Sequence, residues 1–408
     1  MRLSYRWLQM IALVTTMVMI ANLQYAWTLF VKPIQHDHGW SLASVQWAFT
    51  LFILFQTWVQ PFDGWLIDRM GLRFFFTVAG VLSGAGWAAL GFVHTLPQFY
   101  AAYAIAGAGA ALVYSGSLGS VIKWFRDRRG LAAGIVAAGY GTGSALFIPI
   151  IVYLIKTKGY QQAFLWTGII PGLIIIVLAQ FVRHPNADET KQAAAATTKP
   201  ALSGEGQFTS FEMLRTVHFH VLYLMFVMMA TGGLLVTAQA GPVAASWGLP
   251  LAALTMATAL SPLANGGSRI FWGWSSDHFG RENTMALAFI LNAVALVGVI
   301  VLGPRSGLLF TVTVVFSFFT WGGTFSLFPS MLGDLFGVRH ATSNYSFLYT
   351  AKGVGSILAG GVAALLYQHF GSWSSAFYGS AVLALISGLL ALALRAIPRP
   401  RKLNESSN

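Results

Sequence analysis

SPLANGGSRIFWGWSSDHFGR, residues Ser261–Arg281, is the stretch that decides the fold. It begins inside an apolar run that opens near Pro250, and it ends in a polar turn around Asp277. Arg269 stands eight residues before Asp277, so at the helical rise of about 1.5 Å per residue it lies roughly 12 Å from the turn. In a bilayer with a hydrocarbon core of about 30 Å, this position is near the middle. A charge there costs at least about 2.5 kcal/mol, so we predict that Arg269 has a function.

The composition indicates a membrane protein and argues against a soluble one. Of the 408 residues, 56% are hydrophobic and only 9% are charged, whereas a soluble domain carries about 25% charged residues. The net charge of +12 does not indicate a nucleic-acid partner, because the basic residues cluster in loops between apolar runs. The chain has no cysteine, which excludes disulfides and thiolate metal sites. The first apolar run lacks a small-residue cleavage site, so we expect a retained helix.

Twelve apolar runs are long enough to span a membrane, six before and six after a polar segment. They predict an all-α membrane protein with two pseudo-symmetric six-helix bundles, at residues 1–182 and 213–395. A central loop at 183–212 and a tail at 396–408 complete the chain. The predicted spans lie near Trp7–Val31, Leu42–Ile67, Phe74–His94, Gln98–Ile122, Leu131–Leu154, Ala163–Val182, Phe219–Gly241, Leu251–Ser275, Thr284–Leu302, Leu308–Leu332, Ala341–Tyr367 and Ser374–Leu394.

The basic residues also predict the orientation of the chain. With both termini in the cytoplasm, eighteen of the 24 lysines and arginines lie on the cytoplasmic side and four on the opposite side. The remaining two, Arg269 and Lys352, lie inside predicted spans. This bias predicts that both termini lie in the cytoplasm.

A short motif recurs in the two halves. GWLIDRMGLR at Gly64–Arg73 follows the second span, and GWSSDHFGR at Gly273–Arg281 follows the eighth. Gly, Trp, Asp and Gly repeat at a single offset of 209 residues. Glycine permits a tight turn, while aspartate and arginine can pair and cap the adjoining helix ends. The matching phase indicates an internal repeat of the whole six-helix unit.

This repeated motif in a chain of six plus six spans resembles the major facilitator superfamily. A closer resemblance, to its oxalate/formate antiporter family, covers nearly the whole chain. It is carried by Gln24–Leu29, Lys123–Ala132, Ala138–Gly141, Asn265–Arg269, Phe319–Gly323 and Ala351–Lys352.

The resemblance implies a secondary transporter that exchanges oxalate for formate by alternating access around a midplane cavity. We expect the two repeated turns to act as a conformational gate without touching the ligand. The residues of these gate turns are Gly64, Asp68, Arg69, Gly71, Arg73, Gly273, Asp277, Gly280 and Arg281.

Lys352 and Arg269 form the predicted centre of the binding site. Lys352 lies twelve residues past His340, about 18 Å from the cytoplasmic side, so the two cations bracket the midplane. None of the twelve acidic residues lies deep in a predicted span, so the cations repel each other and an anion would relieve the repulsion. Arginine presents a planar fork and lysine a point charge, which suits a small dicarboxylate held at both ends. In the resembled family these residues bind the two carboxylates of oxalate.

Further cavity residues are implied by the repeat and by the resemblance. At the repeat offset, Asn265 and Arg269 correspond to Gln56 and Gln60, and both pairs are spaced i,i+4 on one helix face. Asn265 and Gln56 could line the cavity or form hydrogen bonds between helices. The family's oxalate carrier has tyrosine where this chain has Phe325, and tryptophan where this chain has Tyr349. These two departures leave the identity of the substrate open. The side chains that the resemblance places around the cavity are Gln24, Tyr25, Tyr114, Tyr140, Trp321, Phe325 and Tyr349.

A proton-coupled monocarboxylate symporter, for lactate or pyruvate, is the alternative function. No Asp, Glu or His lies deep in a span to carry the proton, although a buried Lys352 could itself exchange one. An enzyme is disfavoured because no nucleophile–base pair or metal cluster is present, and we expect no cofactor. His36-Asp37-His38 is interpreted as a solvated loop and Gly139–Gly143 as helix packing. The expected partners are small carboxylate anions and membrane lipid, with the chain as a monomer and no nucleic acid.

Overall fold

The computed structural model describes residues 5–62, 72–125, 129–186, 189, 207–337 and 340–400. Within these ranges every regular element is helical, as the apolar runs predict. The α-helices are α1 Tyr5–Tyr25, α2 Thr28–His38, α3 Leu42–Trp58, α4 Leu72–Ala89, α5 Leu96–Trp124, α6 Arg129–Thr142, α7 Ser144–Lys158, α8 Tyr160–Ala179, α9 Ser210–Leu214, α10 Val217–Ser246, α11 Leu251–Phe279, α12 Arg281–Leu302, α13 Gly307–Gly322, α14 Thr324–Phe336, α15 Ala341–Ile357, α16 Ala363–Phe370 and α17 Ser374–Ala393.

Eleven helical segments of the described chain are long and apolar enough to cross a membrane. They match eleven of the twelve predicted runs. The eighth run forms α11, a helix of 29 residues, but it does not reach the same apolarity because Ser261, Asn265, Ser268 and Arg269 interrupt it. Among the described residues, the predicted span that falls short of this apolarity is therefore the one that carries the buried arginine.

Several spans are broken near their middle. Glycines separate α6 from α7, at Gly143, and α13 from α14, at Gly323. A π-helical segment, Leu358–Val362, separates α15 from α16, and α1 is separated from α2 by a turn after Tyr25. Irregular backbone inside a membrane is tolerated where it is buried in protein or lines a cavity, so these breaks indicate a functional region.

Close packing holds each half of the chain together. In the first half α4 packs against α5 and α8, and in the second half α12 packs against α17 and α11 against α13. Gly84 and Gly172 allow α4 and α8 to approach so closely that a Cβ on Gly84 would lie 2.9 Å from the Cα of Gly172. Small residues at such contacts let dispersion forces associate helices in a membrane.

Several pairs of helices join the first half to the second. Helix α3 packs against α15 and α16, α6 and α7 pack against α11, and α2 packs against α10. Lys352 lies on α15 and Arg269 on α11, so both cations are carried by helices that form the seam between the halves.

The triplet His36-Asp37-His38 is not a loop. It forms the last turn of α2, and the carboxylate of Asp37 accepts hydrogen bonds from Tyr160 (2.5 Å) and Gln161 (3.2 Å). The triplet therefore ties α2 to α8, which corrects the expectation of a solvated loop.

Candidate substrate-binding site

Lys352 is fully buried at the seam between the halves. Its Nζ donates hydrogen bonds to Gln24 Oε1 (2.8 Å), Gln56 Oε1 (2.9 Å) and the hydroxyl of Tyr349 (3.2 Å). An ammonium group has three N–H donors, so three neutral oxygens satisfy it. Two of these oxygens belong to the first half of the chain, which makes Lys352 a bridge between the halves.

Arg269 is also buried, with only 4% of its surface exposed. Its Nε donates to Asn265 Oδ1 (3.2 Å) one turn earlier, and its Nη1 donates to the backbone oxygen of Ala137 in α6 (2.8 Å). The second of these bonds also crosses from one half to the other. Neither Arg269 nor Lys352 has a carboxylate within ion-pair distance among the described residues.

The ring of Phe325 lies close to both cations. The guanidinium carbon of Arg269 is 4.7 Å from the ring centroid, and Nζ of Lys352 is 5.8 Å from it. Cations within about 6 Å of an aromatic face are attracted by its electron density. Phe325 therefore offsets a part of the electrostatic cost of holding two like charges in one buried place.

Tyrosines surround the two cations. The hydroxyl of Tyr140 donates to Gln24 Oε1 (2.8 Å) and accepts from Gln56 Nε2 (2.6 Å). Its ring contacts those of Tyr25 (5.6 Å) and Tyr114 (5.4 Å), and Tyr114 stacks on Tyr349 at 5.4 Å. The ring contacts join α1, α5, α6 and α15 around the ammonium of Lys352.

Two buried N–H donors of this region have no hydrogen-bond partner among the described residues. They are Nε1 of Trp321 and Nε2 of Gln24. Trp321 packs edge-on against Phe325 at 5.1 Å, and it fits only because position 233 is glycine, since a Cβ there would collide with the indole. A buried donor without a partner costs about 1–3 kcal/mol, so an anion that accepts from these groups gains that energy.

All eleven residues predicted to bind substrate belong to one connected cluster. Asn265 Nδ2 lies 3.5 Å from the hydroxyl of Tyr25, and Phe325 contacts Trp321 and Tyr349. The role of this cluster in binding stays a prediction. Its members are Arg269, Lys352, Gln24, Tyr25, Tyr114, Tyr140, Trp321, Phe325, Tyr349, Asn265 and Gln56.

The sequence matches known proteins over nearly its whole length. Residues 12–238 and 220–408 match the model of the Major Facilitator Superfamily. The chain is also 40% identical to the oxalate:formate antiporter of Oxalobacter formigenes, over 97% of this chain and 93% of that protein. The chain belongs to the major facilitator superfamily. The resemblance inferred from the sequence motifs is thereby confirmed, and the protein is a multi-pass membrane transporter and not an enzyme.

Two more distant relatives are similar as well. The MFS-type transporter YhjX of Escherichia coli is 26% identical over 86% of both chains. Monocarboxylate transporter 11 of Homo sapiens is 25% identical over 88% of this chain and 76% of that protein. Identity to the antiporter is thus markedly higher than to either of these two transporters.

The predicted gate residues are only partly within the described structure. Gly64, Asp68, Arg69 and Gly71 lie outside the described residues, and Asp277 is described by its backbone alone, in the last turns of α11.

The other gate residues lie close to helix ends of this transporter. Arg73 donates to Gln180 (2.7 Å), which ties α4 to the residue after α8, and Gly280 has a φ of 85° that favours glycine. Arg281 donates to Asp334 (3.0 Å) and also to Ser276, while Gly273 faces Ser326. Their role in gating stays a prediction.

A buried amide network joins the halves at a second place that the sequence analysis did not identify. Gln46 donates to the oxygen of Ala238 (2.9 Å) and to Gln239 Oε1 (3.0 Å), and accepts from Trp27 Nε1 (3.1 Å). Gln239 donates to the backbone oxygens of Ala359 and Gly360, both at 3.1 Å. We call this set the amide seal. Glutamines within apolar runs were the available signal, although a neutral amide is less conspicuous there than a charge.

Proposed function

We propose that this transporter exchanges oxalate for formate across a bacterial inner membrane, with Arg269 and Lys352 each holding one carboxylate of oxalate. The observation that carries this proposal is a pair of buried cations with no acidic partner among the described residues and with the ring of Phe325 within 6 Å of each. The choice of oxalate is supported by the similarity to a protein named as an oxalate:formate antiporter.

Charge complementarity favours an anion in this cluster. At an effective dielectric of about 20, a carboxylate 4 Å from a cation gains roughly 4 kcal/mol before desolvation is subtracted. The present partners of Lys352 are neutral oxygens of Gln24, Gln56 and Tyr349. A carboxylate replaces them with a bond between opposite charges, which adds a Coulombic attraction that neutral oxygens do not supply. The fork of Arg269 suits the second carboxylate, because two parallel N–H groups can donate to its two oxygens.

Substrate binding would also change the contacts between the halves. The bonds of Lys352 to Gln24 and Gln56, and that of Arg269 to Ala137, all cross the seam. An anion that takes these donors removes three bonds that hold the halves in their present relation. A ligand shifts a conformational equilibrium only through such a difference in contacts between states.

The proposal includes an arrangement in the membrane. We place twelve spans in two six-helix bundles, at residues 1–182 and 213–395, with the central loop, the tail and both termini in the cytoplasm. The bias of basic residues towards that side supports this orientation. The gate turns then face the cytoplasm, membrane lipid surrounds the bundles, and the chain works as a monomer.

Counterflow into proteoliposomes tests the function. Vesicles loaded with unlabelled oxalate should accumulate labelled oxalate and labelled formate, and should accumulate little labelled lactate. A preformed pH gradient should not be needed for uptake. If lactate enters in response to a pH gradient while oxalate does not exchange, the proposal fails and a proton-coupled monocarboxylate symporter takes its place.

A further inference from the structure

A second polar cavity lies in the C-terminal half, away from the buried cluster. Its volume is about 390 Å³, and it is bounded by α10, α11, α12, α14 and the residues that follow α17. Two of its lining residues, Gly280 and Arg281, also belong to the predicted gate turn. The polar side chains that define its chemistry are His218, Ser276, Arg281, Glu282, Asp334, Arg395 and Arg399.

The inner part of this cavity contains a histidine with an unused ring nitrogen. His218 is only 5% exposed, and its Nε2 has no hydrogen-bond partner among the described residues. The other ring nitrogen makes a hydrogen bond with the backbone of Ile397. In a neutral imidazole one nitrogen donates and the other accepts, so Nε2 is the acceptor here. Burying a polar atom without a partner is costly, so a ligand hydroxyl that donates to Nε2 gains binding energy at this position.

The outer part of the cavity is rich in guanidinium groups. Its lining contains three arginines and two carboxylates. One of the carboxylates, Asp334, is already paired with Arg281 at 3.0 Å. Arg395 and Arg399 are exposed, and Arg395 uses one N–H, from Nη1 to Asn283 Oδ1 (3.0 Å), of the five that a guanidinium has. This lining favours an anion with several oxygens that arginine can hold bidentately, as phosphate does.

We propose that this cavity binds a phosphate group and that the headgroup of an anionic phospholipid supplies it. The cavity lies where three spans end, because His218, Arg281 and Leu394 are within a few residues of the ends of theirs. Val217 and Phe279 stand directly beside lining residues, and both are more than 60% exposed. Exposed apolar side chains next to a basic pocket suit a molecule with an acyl chain and an anionic head.

Lipid-dependent stability of the purified full-length transporter tests this site. In detergent, phosphatidylglycerol should raise the unfolding temperature and appear as a bound lipid in native mass spectrometry, while phosphatidylcholine should do neither. Replacing both rim arginines (Arg395→Gln with Arg399→Gln) should weaken the apparent affinity about tenfold or more, since charge-assisted bonds are lost. His218→Gln should weaken it as well.

Two matched variants control for the loss of charge and of imidazole. Arg305→Gln and His220→Gln alter exposed residues outside the cavity, so both should keep the response of the unmodified chain. If inorganic phosphate stabilises the protein and the cavity variants lose that effect, the phosphate site stands and its source is free phosphate. If phosphatidylglycerol stabilises all variants equally, or none, the site does not exist. These outcomes are independent of oxalate exchange, because transport is not measured.

Discussion

Lys352→Gln is the substitution that tests most directly whether each carboxylate of oxalate is bound by its own cation. Glutamine retains a hydrogen-bond donor but removes the charge, and the Oε1 of Gln24 keeps its bond from Tyr140 (2.8 Å). A hydrogen bond to a charged group contributes about 1.5–3 kcal/mol net, which corresponds to a loss of roughly tenfold to a hundredfold in affinity. Formate has a single carboxylate that Arg269 can still hold, so its affinity should change by less than about threefold.

The assay compares both anions on one preparation. Binding of labelled oxalate and formate is measured alongside counterflow in proteoliposomes, with the unfolding temperature as evidence of a folded protein. Lys158→Gln, at an exposed lysine that ends α7, is the matched control and should behave as the unmodified chain. We expect oxalate exchange to be abolished by Lys352→Gln while some formate binding persists. Normal oxalate transport by this variant would refute the reasoning.

Three further predictions concern Arg269, the amide seal and the gate turn at Asp277. Arg269→Lys should also lose oxalate counterflow, because an ammonium cannot reproduce the bidentate fork; retained counterflow would show that charge alone suffices. Gln239→Leu should remove the hydrogen bond that its Oε1 accepts from Gln46 of the other half, and should raise maleimide labelling of a single cysteine introduced at Ser356 several-fold. The chain has no cysteine of its own, so unchanged labelling would mean that the amide seal does not hold the halves together. Asp277→Asn should slow counterflow while oxalate affinity stays within about threefold, and the reverse pattern would contradict a gating role.

The buried charges were predictable from the sequence, but their partners were not. A lysine or arginine inside an apolar run is visible in composition alone, because the bilayer penalises it. The bonds of Lys352 to Gln24 and Gln56 join residues 328 and 296 positions apart. Such contacts depend on how the helices of the two halves are placed against each other, and no local pattern encodes that.

The amide seal was missed for a related reason. Gln46 and Gln239 carry no charge, so each resembles any amide that bonds between helices. The helix breaks at Gly143 and Gly323 were also not predicted, because glycine is frequent in membrane helices and only tertiary packing decides which one ends a helix. In contrast, the repeated Gly and Asp turn located the helix ends at Arg73 and Gly280 correctly, since the signal there is local.

The hydrogen bonds of Lys352 between the halves also affect how readily the empty carrier changes conformation. A carrier that exchanges one anion for another dissipates its gradients if it can return across the membrane without cargo. Separating the halves at the level of Lys352 breaks two hydrogen bonds of a buried ammonium. The free energy of these two bonds is lost unless a carboxylate takes the place of the two amide oxygens. Under the proposed function, the lysine that attracts the substrate therefore also penalises the unloaded return, so the same bonds disfavour leakage.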